Sequence, residues 1–186
     1  MAAPEDPASV MAYIGLGSNL ADPRAQVRRA MDELAALPGC TLCLRSSLYA
    51  TAPLGPVAQP EFVNAVVALA TTLTPLELLG ALQGLERDHG RARDGSRWGP
   101  RTLDLDLLIF GELQLQLRGL IVPHPELAKR DFVLVPLAEI APARLLIPGH
   151  GHLQDLLAAL ADRDGPRRLP ESAGTAAAGS GPQATA

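Results

Sequence analysis

Lysine is all but missing from this protein: Lys129 is the only one in 186 residues, and arginine makes up the other fifteen of its sixteen basic side chains. A P-loop needs a lysine after its glycine turn to reach the β- and γ-phosphates. No Gly-Lys-Ser/Thr triplet occurs, so any phosphate held here is held by arginine. Cysteine is limited to Cys40 and Cys43, too few for a disulfide framework or for four zinc ligands. The pair falls in an apolar, strand-like run, and a spacing of three sends the two side chains to opposite faces of a strand, which predicts small core residues. Aromatics make up 3% of the chain, so each one is informative. No apolar run reaches the ~18–20 residues of a membrane span. The first ten residues carry acids and prolines where a secretion signal has a basic and then an apolar stretch, so a cytoplasmic protein is expected. Positive charge is not in excess either: 16 basic against 20 acidic residues leave a net charge of -4, which disfavours a general nucleic-acid coat or a polybasic membrane binder.

What is present suits one folded domain, with 47% hydrophobic and 19% charged residues. The composition predicts a disordered lead over 1–9, a domain over 10–169, and a disordered Ala/Gly/Ser-rich tail over 170–186 that has too little apolar bulk to offset its ordering entropy. Within the domain, Val10 to Leu16 reads as a buried strand ending at Gly17-Ser-Asn19. Asp22 and Pro23 open a helix whose apolar residues Val27, Ala30, Met31 and Leu34 recur at helical spacing until Pro38-Gly39 stops it. Thr41 to Ala50 and Phe62 to Thr72 read as strands. Thr74-Pro-Leu-Glu77 is a capping box that starts a second helix, with the stripe Leu78, Leu79, Leu82 and Leu85. Thr102 to Phe110 is the next strand, and shorter elements follow, including helices near Phe132 to Ile140 and Leu153 to Ala161. This βαββαβ order predicts an α+β fold of ferredoxin-like type: an antiparallel sheet with helices packed on it, plus C-terminal additions.

The chemistry concentrates at Thr102-Leu-Asp-Leu-Asp-Leu-Leu108. A period of two puts Leu103, Leu105 and Leu107 on one face and Asp104 and Asp106 on the other, with Cα atoms about 7 Å apart. Such a pair can converge on metal ions, although alternating Asp and Leu also describes an ordinary solvated strand face. Removing either charge is expected to relieve repulsion between them. Just upstream, Arg87 to Arg101 holds five arginines against Asp88 and Asp94, a net +3, together with the only tryptophan, Trp98. Guanidinium groups grip phosphate oxygens in bidentate fashion, and magnesium takes one or two carboxylates plus substrate phosphates, so the basic segment and the acidic strand together describe a nucleotide–magnesium site. The alternative is a ferredoxin-like nucleic-acid-binding module using the Arg87–Arg101 segment, with Trp98 as a stacking platform. Glu86 lies on the apolar stripe of the preceding helix, where a carboxylate needs a partner; an ion pair with an arginine and a ligand contact are both open. His124 sits between two prolines like a turn residue, and His150 and His152 read as surface loop.

Arg97-Trp-Gly-Pro-Arg-Thr-Leu-Asp-Leu-Asp-Leu-Leu108, with Gly17-Ser-Asn19, Thr51-Ala-Pro-Leu-Gly55, Phe62-Val-Asn64 and Val122-Pro-His124, resembles the 6-hydroxymethyl-7,8-dihydropterin pyrophosphokinases of folate biosynthesis, from about Ala12 to Leu157. The resemblance implies transfer of the β,γ-pyrophosphoryl group of ATP to the pterin hydroxymethyl oxygen with release of AMP, and magnesium as cofactor with two ions per active site. By position, Asp104 and Asp106 resemble the metal-binding pair, and Arg91 and Arg101 the catalytic arginines that neutralise phosphate charge. Gln83, Glu86, Arg93, Arg97, Trp98, His124 and Arg130 resemble ATP-binding positions. Pro53, Leu54, Gly55, Phe62, Asn64 and Phe132 resemble the pterin site, where a flat ring needs faces to stack on and an amide to read its donors and acceptors. The same resemblance implies ATP and 6-hydroxymethyl-7,8-dihydropterin as the partners of a monomer, with neither nucleic acid nor membrane among them. The chain departs from familiar members at Ala52, where a second proline is usual, and at Gly119, Ile121 and Pro125 near the nucleotide, with Arg118 one place from a position that can hold arginine.

Overall fold

The computed structural model describes residues 8–53, 58–90, 99–160 and 165–171. Most of the predicted lead and tail lies outside this range, as do the site residues Leu54, Gly55, Arg91, Arg93, Arg97 and Trp98.

Three strands form the centre of the molecule: β1 (Val10–Ser18), β4 (Phe62–Thr71) and β5 (Asp104–Phe110). β1 lies between the other two and is antiparallel to both. The first helix, α1 (Pro23–Ala35), begins as expected: the Asp22 side chain accepts a hydrogen bond from the Ala25 N–H at 3.2 Å, and Pro23 takes the first helical position, where its missing N–H costs nothing. The second, α2 (Pro75–Asp88), opens on a complete Thr74/Glu77 capping box. Both helices cover one face of the sheet, over a core that includes Ile14, Leu16, Leu34, Leu69, Leu82, Leu103 and Leu105.

The single strand expected from Thr41 to Ala50 is two. β2 (Cys40–Arg45) pairs with the second half of β4, and β3 (Tyr49–Thr51) pairs with its first three residues. At the break Ser46 takes over the ladder, its hydroxyl accepting the buried Val66 N–H at 2.9 Å while its own N–H donates to Val66 O. The sheet order β3-β4-β1-β5, with β2 continuing the β3 edge, is the expected ferredoxin-like arrangement. The expectation of two core cysteines is corrected: Cys43 is exposed and Cys40 is half-buried against the α1/α2 core. The two do alternate in facing, but the face of β2 that carries Thr41 and Cys43 is exposed.

The C-terminal half adds a hairpin of β6 (Leu115–Leu117) and β7 (Leu120–Val122), a 3-10 turn (Leu127–Lys129), α3 (Asp131–Ile140), a two-strand ribbon of β8 (Leu146–Ile147) and β9 (Gly151–His152), and α4 (Leu153–Ala158). α3, the ribbon and α4 cover the second sheet face through Leu134 and Leu137, Ile147, and Leu153 respectively, packed with Tyr13, Val66, Ala68 and Leu108. Finally β10 (Arg167–Arg168) returns to pair with β3. Among the described residues, no helix is long and apolar enough to cross a membrane.

Candidate functional site

The second sheet face is open near the ends of β1, β4 and β5, and the register of the three strands assembles the site there. Gly17 lies opposite Asn64 on one side and Asp104 on the other; Gly15 lies opposite Val66 and Asp106. Directly paired residues share a face, so Asp104, Gly17 and Asn64 form one row across three strands. The ends of this row are two strand spacings apart, about 10 Å. The glycine keeps its middle flat: a Cβ on Gly17 would lie 3.1 Å from Asn64 Oδ1 and 3.9 Å from Asp104 Cβ. At the amide end, Asn64 is buried and its Nδ2 donates to Thr51 Oγ1 at 2.7 Å. Phe62 occupies the same face two residues earlier, half-buried, with Pro53 just beyond β3.

Each aspartate has its own cation. Asp104 is paired with the Arg101 guanidinium. Asp106 Oδ2 lies 3.6 Å from Arg130 and 3.9 Å from His124 Nε2. The Glu126 N–H donates to His124 Nδ1 at 3.2 Å, which places the proton of a neutral ring on Nε2, toward Asp106. Burial, helped by the Arg130 charge and opposed by Glu126 and Asp104, lowers the His124 pKa to about 4, so the ring is neutral near pH 7. Arg130 also lies over the Phe132 ring, 5.7 Å from its centre, so the predicted aromatic at the start of α3 borders the charged groups of the site.

Glu86 is 3% exposed, and its Oε1 accepts the Leu105 N–H at 2.9 Å. β5 is the sheet edge, and Leu105 stands between the two aspartates, so a carboxylate from α2 satisfies an edge N–H and fixes the strand that carries them. Gln83 lies one turn earlier on α2, half-buried. One turn before that, Leu79 borders a cleft of about 280 Å³ that reaches Leu105, Asp106 and Leu107 of β5, Gly119 to Ile121 of the hairpin, and His124 and Pro125. Three of the positions where the chain departs from familiar sequences, Gly119, Ile121 and Pro125, thus line one cleft beside the aspartates.

Sequence reasoning took Asn19 only for part of a turn. Its Oδ1 accepts the Arg101 N–H at 2.7 Å, its N–H donates to Arg101 O at 3.0 Å, and its Nδ2 donates to Gln59 Oε1 at 3.0 Å and Pro60 O at 3.3 Å. It therefore ties the approach to β5 and the approach to β4 to the end of β1. The available signal was an amide side chain directly after a buried strand, a place where turn chemistry and cross-linking look alike.

Among the described residues, no group of three or more His, Cys, Asp or Glu side chains could hold a metal. Two carboxylates on one face suit magnesium, which completes its shell with water and substrate phosphates instead of a protein cage. The donor set therefore fits that ion and does not fit structural zinc.

The chain matches the family described as 7,8-dihydro-6-hydroxymethylpterin-pyrophosphokinase (HPPK) over residues 13–142. It is 54% identical over 158 residues to the 2-amino-4-hydroxy-6-hydroxymethyldihydropteridine pyrophosphokinase of Pseudomonas aeruginosa, covering 85% of this chain and 96% of that one. The protein of the same name from Haemophilus influenzae is 44% identical over 153 residues, 82% of this chain and 94% of its own. Among solved structures, wild-type Plasmodium falciparum HPPK-DHPS with pteroate superposes with a TM-score of 0.67 at 12% identity, over 88% of this chain. This chain spans 48% of that longer one, and at such identity the likeness establishes the fold alone. None of these relatives supports the nucleic-acid-binding alternative.

Proposed function

Since this chain belongs to the 7,8-dihydro-6-hydroxymethylpterin pyrophosphokinase family, we propose that the row Asp104–Gly17–Asn64 is the line along which its two substrates meet. The enzyme transfers the β,γ-pyrophosphoryl group of ATP to the hydroxymethyl oxygen of 6-hydroxymethyl-7,8-dihydropterin, giving the pterin diphosphate and AMP, a step of tetrahydrofolate biosynthesis. In our reading the aspartate end takes the triphosphate and the amide end takes the pterin. The observation that carries this is the register itself, which sets a metal-type carboxylate pair and a buried amide on one flat face with only glycine between them.

Asp104 and Asp106 would hold magnesium, two ions in the reading the family suggests, which would supply charge neutralisation for the triphosphate. The Arg101 guanidinium, beside Asp104, is assigned to the phosphate oxygens, and Arg91 is assigned the same charge-neutralising role. Arg130 and neutral His124 line the nucleotide side with Gln83 and Glu86, the last of these by holding β5; Arg93, Arg97 and Trp98 are assigned to ATP as well. Asn64 reads the hydrogen-bonding edge of the pterin, Phe62 and Phe132 supply faces for the ring, and Pro53, Leu54 and Gly55 line its loop. The hydroxymethyl oxygen bonds to the β-phosphorus as the bond from the α,β-bridging oxygen to that phosphorus breaks, that oxygen leaving with AMP. AMP leaves, and the hydroxyl proton passes to solvent. A loose transition state asks little of the nucleophile, so positioning does most of the work. The catalytic unit in this proposal is residues 10–169 of one chain, since a single chain supplies every group named.

Chromatography of the nucleotide products tests the reaction. With ATP, magnesium and the pterin, AMP and a pterin diphosphate are expected in equal amounts; ADP with a monophosphorylated pterin would overturn the reading. The flat row has its own test. In Gly17→Ala the added methyl must displace an amide already committed to Thr51, so the KM for pterin is expected to rise about tenfold while that for ATP stays near its wild-type value.

A further inference from the structure

Glu139, next to last in α3, receives four hydrogen bonds from outside its helix. The Ser47 N–H donates to Oε2 at 2.8 Å and the Ser47 hydroxyl to Oε1 at 2.7 Å. The Tyr49 hydroxyl donates to Oε2 at 3.0 Å, and Arg168 of β10 to Oε1 at 3.3 Å. Arg168 also donates from Nε to the Ser47 hydroxyl at 2.9 Å, which closes the network. None of these residues touches the aspartates, and nothing in the reaction described so far uses them.

Their position gives them a task. β3 is three residues long, is cut off from β2 at Ser46 to Leu48 and, among the described residues, has only the two-residue β10 on its outer side. So short a strand has little pairing of its own to hold it in place. Yet Tyr49 lies directly opposite Asn64, and Thr51, two residues on, takes the Asn64 amide. α3 starts at Asp131 and Phe132, about two turns from Glu139. The carboxylate of Glu139 therefore joins the strand that orients Asn64 to the helix that presents Phe132.

We propose that Glu139 is a positioning residue for the pterin, acting through Tyr49 and Ser47 to hold β3 and α3 at the separation the flat ring requires. This rests on the reading of Asn64 and Phe132 as pterin-binding groups. Tyr49 is 7% exposed, and a buried phenol needs a partner for its hydroxyl, which Glu139 supplies. Burial opposes the charge on Glu139, but hydrogen bonds from Ser47 and Tyr49 and the Arg168 charge outweigh it and keep the carboxyl below its ordinary range, so the strut is ionised at neutral pH.

Steady-state kinetics of Tyr49→Phe, Glu139→Gln, Glu139→Ala and, as a control on the pterin reading, Asn64→Ala test the proposal, with thermal melts to verify folding. Glu139→Ala is expected to raise the KM for pterin about tenfold with the ATP KM within about twofold of wild type, the size of one or two net hydrogen bonds. Glu139→Gln, which keeps one acceptor oxygen, should recover part of that loss, and Tyr49→Phe should move in the same direction even if Glu139→Ala folds poorly. Strut variants with an unchanged pterin KM, while Asn64→Ala raises it, would overturn the proposal and leave the pterin site standing. A parallel fall in kcat and in affinity for both substrates, tracking the melting temperature, would also overturn it by making the network structural only. An unchanged pterin KM in Asn64→Ala would remove the pterin reading, and the proposal with it.

Discussion

Asp104→Ala and Asp106→Ala are each expected to lose at least ~10³-fold in turnover at saturating substrates while the folded state keeps its stability to within about 1 kcal/mol. The first half follows from their shared position: both carboxylates project from the face proposed to receive the triphosphate, and the alternating Leu103, Leu105 and Leu107 hold the core. The second half differs from what alternation alone suggests. Two anions on one strand face look like a repulsion that either deletion would relieve, but Asp104 already contacts Arg101 and Asp106 lies 3.6 Å from Arg130. Each deletion therefore removes a partly exposed ion pair along with a repulsion, and the two changes offset. Magnesium-dependent turnover beside a thermal melt is the measurement. Near-normal turnover in either variant would remove the metal assignment, and a rise in stability of several kcal/mol would show that the cations do not balance the pair.

Arg101→Ala should cost ~10³–10⁵ in kcat, the range attributed to arginines that stabilise charge in phosphoryl transfer. The structure makes this a clean test. Arg101 is fixed through its main chain, whose N–H and carbonyl both bond to Asn19, and a side-chain substitution leaves those bonds in place. The loss should therefore appear in the rate and not in the fold. Arg101→Lys should recover only part of it, because an ammonium keeps the charge but not the planar fork that meets two phosphate oxygens at once. A lysine variant equal to wild type would mean that Arg101 acts as a distant charge only. No native lysine can step in, since Lys129 points its ammonium at Glu126.

How much of this was legible in the residues depends on how local each signal is. Asp104 and Asp106 on one face, the Asp22-Pro23 start of α1 and the Thr74/Glu77 box each need only a few consecutive residues, and the structure has all three. Reading Thr41 to Ala50 as one strand failed because nothing in that run announces a break: Ser46 stands in for the ladder with its own hydroxyl, a substitution that depends on Val66 being opposite. The cysteine reading failed because alternation says which face a residue takes but not whether that face is covered, and the Thr41/Cys43 face of β2 is exposed. Glu86 was visible as a misplaced charge on an apolar stripe, but its partner, a backbone N–H of β5, has no side-chain signature at all.

The sequence by itself determined both long helices and the three central strands, the common face of the two aspartates, arginine as the cation available for phosphate and, through the resemblance carried by the run from Arg97 to Leu108, the reaction. Only the tertiary structure decided that Arg101 answers Asp104 while Arg130 and His124 answer Asp106, that Gly17 separates Asp104 from Asn64, and that Glu139 braces β3 against α3. Local propensity and periodicity act over a few residues and are written in the chain. Which strand meets which, and in what register, is selected by burying apolar faces between segments far apart in sequence, and a shift of one residue would send the strand residues Asp104, Asp106 and Asn64 to the other side of the sheet.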